Sequence, residues 1–181
     1  NSTPSDPPVV TGTEYTGSSF TINPEAVTTG ELTLSGSGTI TDLNVTINAS
    51  HNDYIGIVDF KLISPYGTIV DLVTSGCSGP VFSETTFDDE ASIPIASGTP
   101  PYYGSFQPEG SLSDFDQEEM NGTWTLWTYT SDFRTGEVTD WSITVEYDDS
   151  TPSDPPVVIG NEYPGSPFTI NVETVTTGEL V

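Results

Sequence analysis

Three consecutive carboxylates, Asp88, Asp89 and Glu90, are the densest chemistry in the sequence, and Asp114 and Asp116 open a second acidic turn, SLSDFDQEE, that runs on into Glu118 and Glu119. Adjacent carboxylates in a partly buried loop repel one another unless backbone N–H groups or a cation neutralise them. Calcium takes about six to eight oxygens and combines carboxylates with turn carbonyls at no fixed spacing. The two loops are therefore expected to close on one Ca2+ ion, with Asp88, Asp89, Glu90, Asp114 and Asp116 as its candidate ligands. The competing reading is a pair of solvated acidic loops, since no EF-hand spacing accompanies them.

Other chemistries find less support. A hydrolytic triad would have to use His51, the single histidine; it ends an apolar-alternating run, and no serine stands in a nucleophile-elbow context. The lack of a second histidine also argues against zinc. Paired carboxylates could cleave glycosides, but that needs a set separation across a cleft. No catalytic residue is assigned, and the chain reads as a non-enzyme. Cys77 is the only cysteine, so no intrachain disulfide can form.

Against 27 acidic residues stand only Lys61 and Arg134, for a formal charge of −25. Such a surface repels phosphate backbones and anionic headgroups, which excludes nucleic acid and argues against membrane partners. No apolar window reaches the roughly 18 residues of a membrane span. The expected setting is extracellular, secreted or on a cell surface, with any export signal outside these residues. The expected partners are neighbouring copies of the same module or other extracellular proteins, with glycans a third candidate. Asn1, Asn44, Asn48 and Asn121 each head an N-x-[ST] triplet, which marks a glycan acceptor only in a eukaryotic secretory setting.

The elements that must position these residues are short strands. Leu43, Val45 and Ile47, then Val58, Phe60 and Leu62, then Trp124 and Leu126, then Trp141, Ile143 and Val145 each alternate with polar residues, the period of half-buried strands. Turn signals separate them at Ser35–Gly38, Ser64–Gly67, Ser75–Pro80, Gly98–Pro101 and Thr135–Gly136. About eight or nine strands without a helical stretch predict an all-β, antiparallel β-sandwich of the jelly-roll kind. On this pattern Trp124 and Trp141 face the core. Trp127 falls on the opposite phase and, with Tyr129, is expected either to form an outward sticky patch or to be partly buried under a loop.

Residues 3–33 and 151–181 align without a gap at an offset of 148, and 24 of the 31 positions are identical. The repeated text holds a proline-rich linker, TPSDPPVV, and strand-like EY, FTIN and VTTGEL. The expected organisation is a linker over 1–12, a sandwich over 13–147, a second linker over 148–160 and the first segment of the next repeat over 161–181. Closely spaced prolines favour extended, stiff polyproline II. One complete module plus part of another implies a longer tandem array. The second copy, Phe168 onward, has no module of its own here, and donor-strand exchange with a neighbour is one use for it.

A series of motifs then identifies a resemblance: GTITDLNVTINASH, LISPYGT, TTFDDEAS, GSFQPEGSLSDFD, NGTWTLW and GEVTDWSITV, in that order from Gly38 to Val145. Over roughly Gly30–Tyr147 the chain resembles the P domain of proprotein convertases. The resemblance implies a jelly roll of the galactose-binding-like sort, found beside subtilisin-like or metalloprotease catalytic domains and in large bacterial surface proteins, without hydrolytic chemistry of its own. Two positions depart from the family pattern: Ile57 stands where an aspartate usually follows the glycine, with Asp59 two residues on, and the strand ending in Tyr129 and Thr130 lacks its following aspartate unless Asp132 substitutes. The functional expectation is a calcium-stabilised module of a structural, adhesive or filament-forming protein. The alternative is an accessory domain that assists a secreted protease in folding or substrate targeting.

Overall fold

The computed structural model describes residues 12–74 and 77–149. The linkers over 1–11 and 150–160 and the repeated segment 161–181 lie outside the described residues.

The longest strands carry the cleanest alternation. β4 (Thr39–His51) and β10 (Gly136–Asp148) pair antiparallel from His51 opposite Gly136 to Thr39 opposite Asp148. Leu43, Val45, Ile47 and Ala49 point inward from β4, and Trp141, Ile143 and Val145 from β10. A register shift between Val138 and Asp140 keeps both Val138 and Trp141 inside although they are an odd number of residues apart.

Around that pair the first sheet runs β1 (Thr13–Gly17), β10, β4, β7 (Val81–Phe87) and β8 (Gly104–Phe106), with β2 (Phe20–Ile22) also on β10. The second runs β3 (Val27–Leu34), β9 (Gly122–Thr130), β5 (Val58–Ile63) and β6 (Ile69–Val73). The fold is the expected all-β sandwich. All pairings are antiparallel except β7 with β8, which run parallel because a loop excursion over 88–103 brings the chain back alongside β7 in its original direction. β1, β2 and β8 are five, three and three residues long, too short for periodicity to announce all ten strands.

Every residue of the four alternating runs is buried between the sheets, and full burial of a large apolar side chain stabilises by about 1.5–3 kcal/mol. Phe82 packs on Phe60 and Tyr102, both at 5.5 Å between ring centres. On the side of β1 and β3 the Trp141 indole lies against backbone that must be glycine. A Cβ on Gly17 would sit 2.3 Å from the indole ring, and one on Gly30 would sit 2.5 Å from Phe20 and 3.2 Å from Trp141 Nε1.

Between β7 and β9 the chain spends 34 residues, 88–121, on one short strand and two 3-10 turns, Ile95–Ser97 and Leu112–Phe115. Leu112 and Phe115 anchor the second turn in the core. This excursion carries all five candidate ligands.

Candidate functional site

The acidic corner starts where β7 ends. Phe87 is buried, and Asp88 continues the edge by donating its backbone N–H to Phe106 O at 3.0 Å. The chain then turns: Ala91 N–H reaches Asp88 O at 3.1 Å, and Glu90 N–H reaches Asp88 Oδ1 at 2.8 Å. That turn aims Asp88 and Glu90 one way and Asp89 another.

Asp89 spans to the second acidic loop. Its carboxylate accepts Leu112 N–H at 3.0 Å, Ser113 N–H at 3.0 Å and Ser111 Oγ–H at 2.8 Å. The first N–H groups of a helical turn have no partner inside it, and here a carboxylate from another loop supplies one. Burial pushes the Asp89 pKa up, but the backbone donors of Leu112 and Ser113 and the hydroxyls of Ser111 and Ser113 outweigh it and hold the group below the ordinary carboxylate value. The two loops are thus brought together by N–H and O–H groups.

The neighbouring carboxylates behave oppositely. Asp116 is raised, by burial and then by the charge of Asp89. Glu90 is raised by its side-chain hydrogen bond to Asp88, then by burial and by Asp42. Asp42 was not among the sequence candidates, yet it faces this corner from β4, opposite Glu146 of β10. Burial raises its pKa first, then Glu146, Asp88 and Asp116 add repulsion that the Leu43 N–H only partly offsets. An outward acidic residue in a strand gives no sequence sign of a partner 46 residues away; the pairing of β4 with β7 makes them neighbours. Asp114 is exposed, its N–H on Ser111 O at 3.2 Å. Among the described residues, no group of three or more His, Cys, Asp or Glu side chains converges closely enough to hold an ion as it stands.

The two positions that depart from the family pattern go to other uses. Ile57 closes the 3-10 turn Ile55–Ile57. Asp59 faces outward on β5 opposite Tyr129; burial raises its pKa, Lys61 opposes, and Asp71 and Glu109 reinforce. Asp132 accepts Arg134 Nη1 at 2.9 Å, and the same nitrogen reaches Asp53 at 2.8 Å. Both cations of the sequence are thereby committed to carboxylates, Lys61 to Asp71 at 2.6 Å.

His51 is 3% exposed. Its Nδ1 accepts the Asp53 N–H at 3.2 Å, and Gly136 packs across the ring, so close that a Cβ there would lie 2.9 Å from Cδ2. An open groove of about 320 Å³ nearby is lined by Thr21, Ser50, Asn52, Thr135, Gly136 and Glu137. Trp127 is half-buried on the outer face of the second sheet, 6.2 Å from Tyr129 and 5.5 Å from Lys61 Nζ.

Compared with known proteins, the chain finds no match among curated sequences. Solved structures that resemble it distantly include the following three. The serine protease of Aeromonas sobria in complex with its chaperone is 14% identical with a TM-score of 0.49, covering 79% of this chain and 28% of that one. The same protease alone is 13% identical with a TM-score of 0.48, covering 80% and 28%. The protein FLHE is 14% identical with a TM-score of 0.44, covering 75% and 96%. The chain therefore spans little more than a quarter of the protease chains. A family profile, described as the proprotein convertase P-domain, matches residues 40–145, from the start of β4 to near the end of β10.

Proposed function

Because the chain belongs to the proprotein convertase P-domain family, we propose that it is a non-catalytic module of a longer extracellular protein, repeated in tandem and serving a structural or adhesive role. The observation that carries the tandem part is the duplication of residues 3–33 at 151–181, with 24 of 31 positions identical. The non-catalytic part is supported by the state of His51, whose ring is enclosed and whose Nδ1 is already taken by the Asp53 N–H; a general base needs reach to a substrate proton. An extracellular place fits the family and the acidic surface. Among the described residues no helix is long and apolar enough to cross a membrane.

A second reading is an accessory domain that supports a secreted protease, and family membership favours it. The two readings separate by the partner each requires. Immobilised chain is expected to retain a second copy of itself and to hydrolyse no peptide, ester or glycoside substrate. Turnover that disappears in His51→Ala would overturn the non-catalytic reading. A subtilisin-like protease that folds only when fused to this module would overturn the structural one.

Ca2+ is the cation we assign to the acidic corner. Asp42 and Asp116 carry pKa values raised by burial and then by neighbouring carboxylates, and Glu90 one raised first by its hydrogen bond to Asp88; repulsion between carboxylates is the part a divalent cation relieves. Among the described residues no three carboxylates converge as they stand, so Asp42, Asp88 and Asp116 would have to turn onto the ion; Asp89 is left out because its oxygens are engaged by three donors. Melting in millimolar calcium and in chelator is the test, and identical curves would remove calcium from the proposal.

A further inference from the structure

The outer face of the second sheet sets its side chains in rows that cross the strands. Register places Thr29, Trp127, Lys61 and Asp71 in one row and Val27, Tyr129 and Asp59 in the next. The first row is complete in itself: the Lys61 ammonium lies 5.5 Å from the Trp127 ring centre and 2.6 Å from Asp71. A ring face attracts a cation, and a carboxylate beside it fixes the cation in place. The second row repeats the ring and the carboxylate. Val27 is 53% exposed and Tyr129 37%, and Asp59 stands directly across from Tyr129. Among the described residues, the Asp59 carboxylate takes no hydrogen bond and no ion pair.

That carboxylate is short of positive charge. Burial raises its pKa and Lys61 lowers it, but the Lys61 ammonium is bonded to Asp71, and Asp71 and Glu109 push the value up again. Three carboxylates thus share one ammonium. The chain has no other side-chain cation to send, because Lys61 is committed to Asp71 and Arg134 to Asp53 and Asp132. A second copy would bring only the same two, so the balancing charge belongs to a partner of another kind. The row also states its shape. An apolar residue, a ring and a carboxylate in line across two strand spacings, about 10 Å, match a side chain with an apolar stem and a cationic head.

We propose that Val27, Tyr129 and Asp59 form a docking site for a lysine side chain of a basic partner protein, the stem lying over Val27 and Tyr129 and the ammonium between the Tyr129 ring and the Asp59 carboxylate. Lysine is chosen over arginine because the adjacent row already holds Lys61 in this way, between Trp127 and Asp71. The excess of 27 acidic residues over two basic ones draws such a partner in, and the row decides where it settles. The site stands whether the module is adhesive or serves a protease.

The test titrates the full chain with the peptide acetyl-Gly-Lys-Gly-amide and follows backbone amide shifts by NMR. Salt at about 0.15 M screens attraction to the general negative surface beyond about 8 Å. Shifts are expected to centre on Val27, Tyr129 and Asp59, and a norleucine peptide, with the stem but no ammonium, is expected not to bind. Asp59→Asn and Tyr129→Leu are each expected to weaken binding about three- to fivefold. Glu14→Gln, which removes the same charge from an exposed position in the other sheet, is expected to leave it unchanged. Asp59→Asn relieves a desolvated charge and Tyr129→Leu keeps apolar bulk, so both are expected to fold, which melts verify. Equal weakening by Glu14→Gln would reduce the site to general charge and overturn the proposal, as would shifts that centre on the acidic corner in the wild-type chain. A glucosamine oligomer that binds these residues more tightly than the peptide would give the site to an amino sugar and overturn the lysine assignment.

Discussion

Asp89 and Leu112, 23 residues apart, are joined by a 3.0 Å bond from the Leu112 N–H to the Asp89 carboxylate, and that bond fixes the 3-10 turn from which Phe115 reaches the core. Phe115 meets Trp124 edge-on at 5.0 Å, and the Trp124 Nε1–H is held by Met120 O at 3.0 Å. A residue that reads in the sequence as a metal ligand is therefore also a cap on which part of the core depends.

Asp89→Ala leaves the N–H groups of Leu112 and Ser113 without their acceptor, and losing such a partner costs about 1–3 kcal/mol. Urea denaturation should show a lower midpoint with an unchanged slope, and Asp89→Asn, which keeps one carbonyl acceptor, should recover part of the loss. The calcium-dependent gain in melting temperature should survive in Asp89→Ala and be lost in Asp42→Asn. The opposite pattern would return Asp89 to the ion.

Gly17→Ala puts a methyl 2.3 Å from the Trp141 ring. Overpacking of this kind costs about 1–3 kcal/mol, and since the indole is displaced, tryptophan emission should shift along with the melt. An unperturbed spectrum at wild-type stability would show that β1 yields more readily than its pairing with β10 implies.

The core was legible because alternation is a local signal: each of Leu43, Val45, Ile47, Val58, Phe60, Leu62, Trp124, Leu126, Trp141, Ile143 and Val145 lies inside, as its phase demands. The excursion over 88–121 was not, because Tyr102 is buried from a loop, Phe106 from a three-residue strand and Leu112 from a short turn, none long enough to show a period. The acidic corner was half legible. Local density marks Asp88–Glu90 and Asp116, but Asp42 joins them only through strand pairing, and no local pattern separates Asp89, which caps a turn in the other loop, from Asp88, which caps only its own.

Two tryptophans three residues apart test the phase reading directly. Trp124 is fully buried and hydrogen-bonded, so Trp124→Ala should cost about 3–5 kcal/mol. Trp127 is half-buried beside Lys61 and Tyr129, and Trp127→Ala should cost less than about 1.5 kcal/mol, the loss of a partly exposed stacking and cation–π contact. Equal losses in denaturant melts would mean that the outer face of the second sheet is covered.

The dependence of stability on pH has two limbs of opposite sign. Asp42, Asp59, Glu90 and Asp116 have folded pKa values above their ordinary ones, so the stability they contribute is full below the unfolded values, near pH 4, and is lost as pH rises through the raised folded values. Asp89 is depressed; its contribution is full above the unfolded value and is lost as pH falls through the folded one. In chelator, unfolding free energy should therefore climb on acidification from neutral pH, pass a maximum in the mildly acidic range and fall below about pH 4 as Asp89 takes up its proton. Millimolar calcium should flatten the climb, because a cation offsets the same repulsion that protons relieve, and Asp89→Asn should remove much of the acid-side fall. Stability that declines steadily from pH 7 downward would mean that the raised carboxylates are solvated and do not repel one another, and the calcium assignment would fall with them.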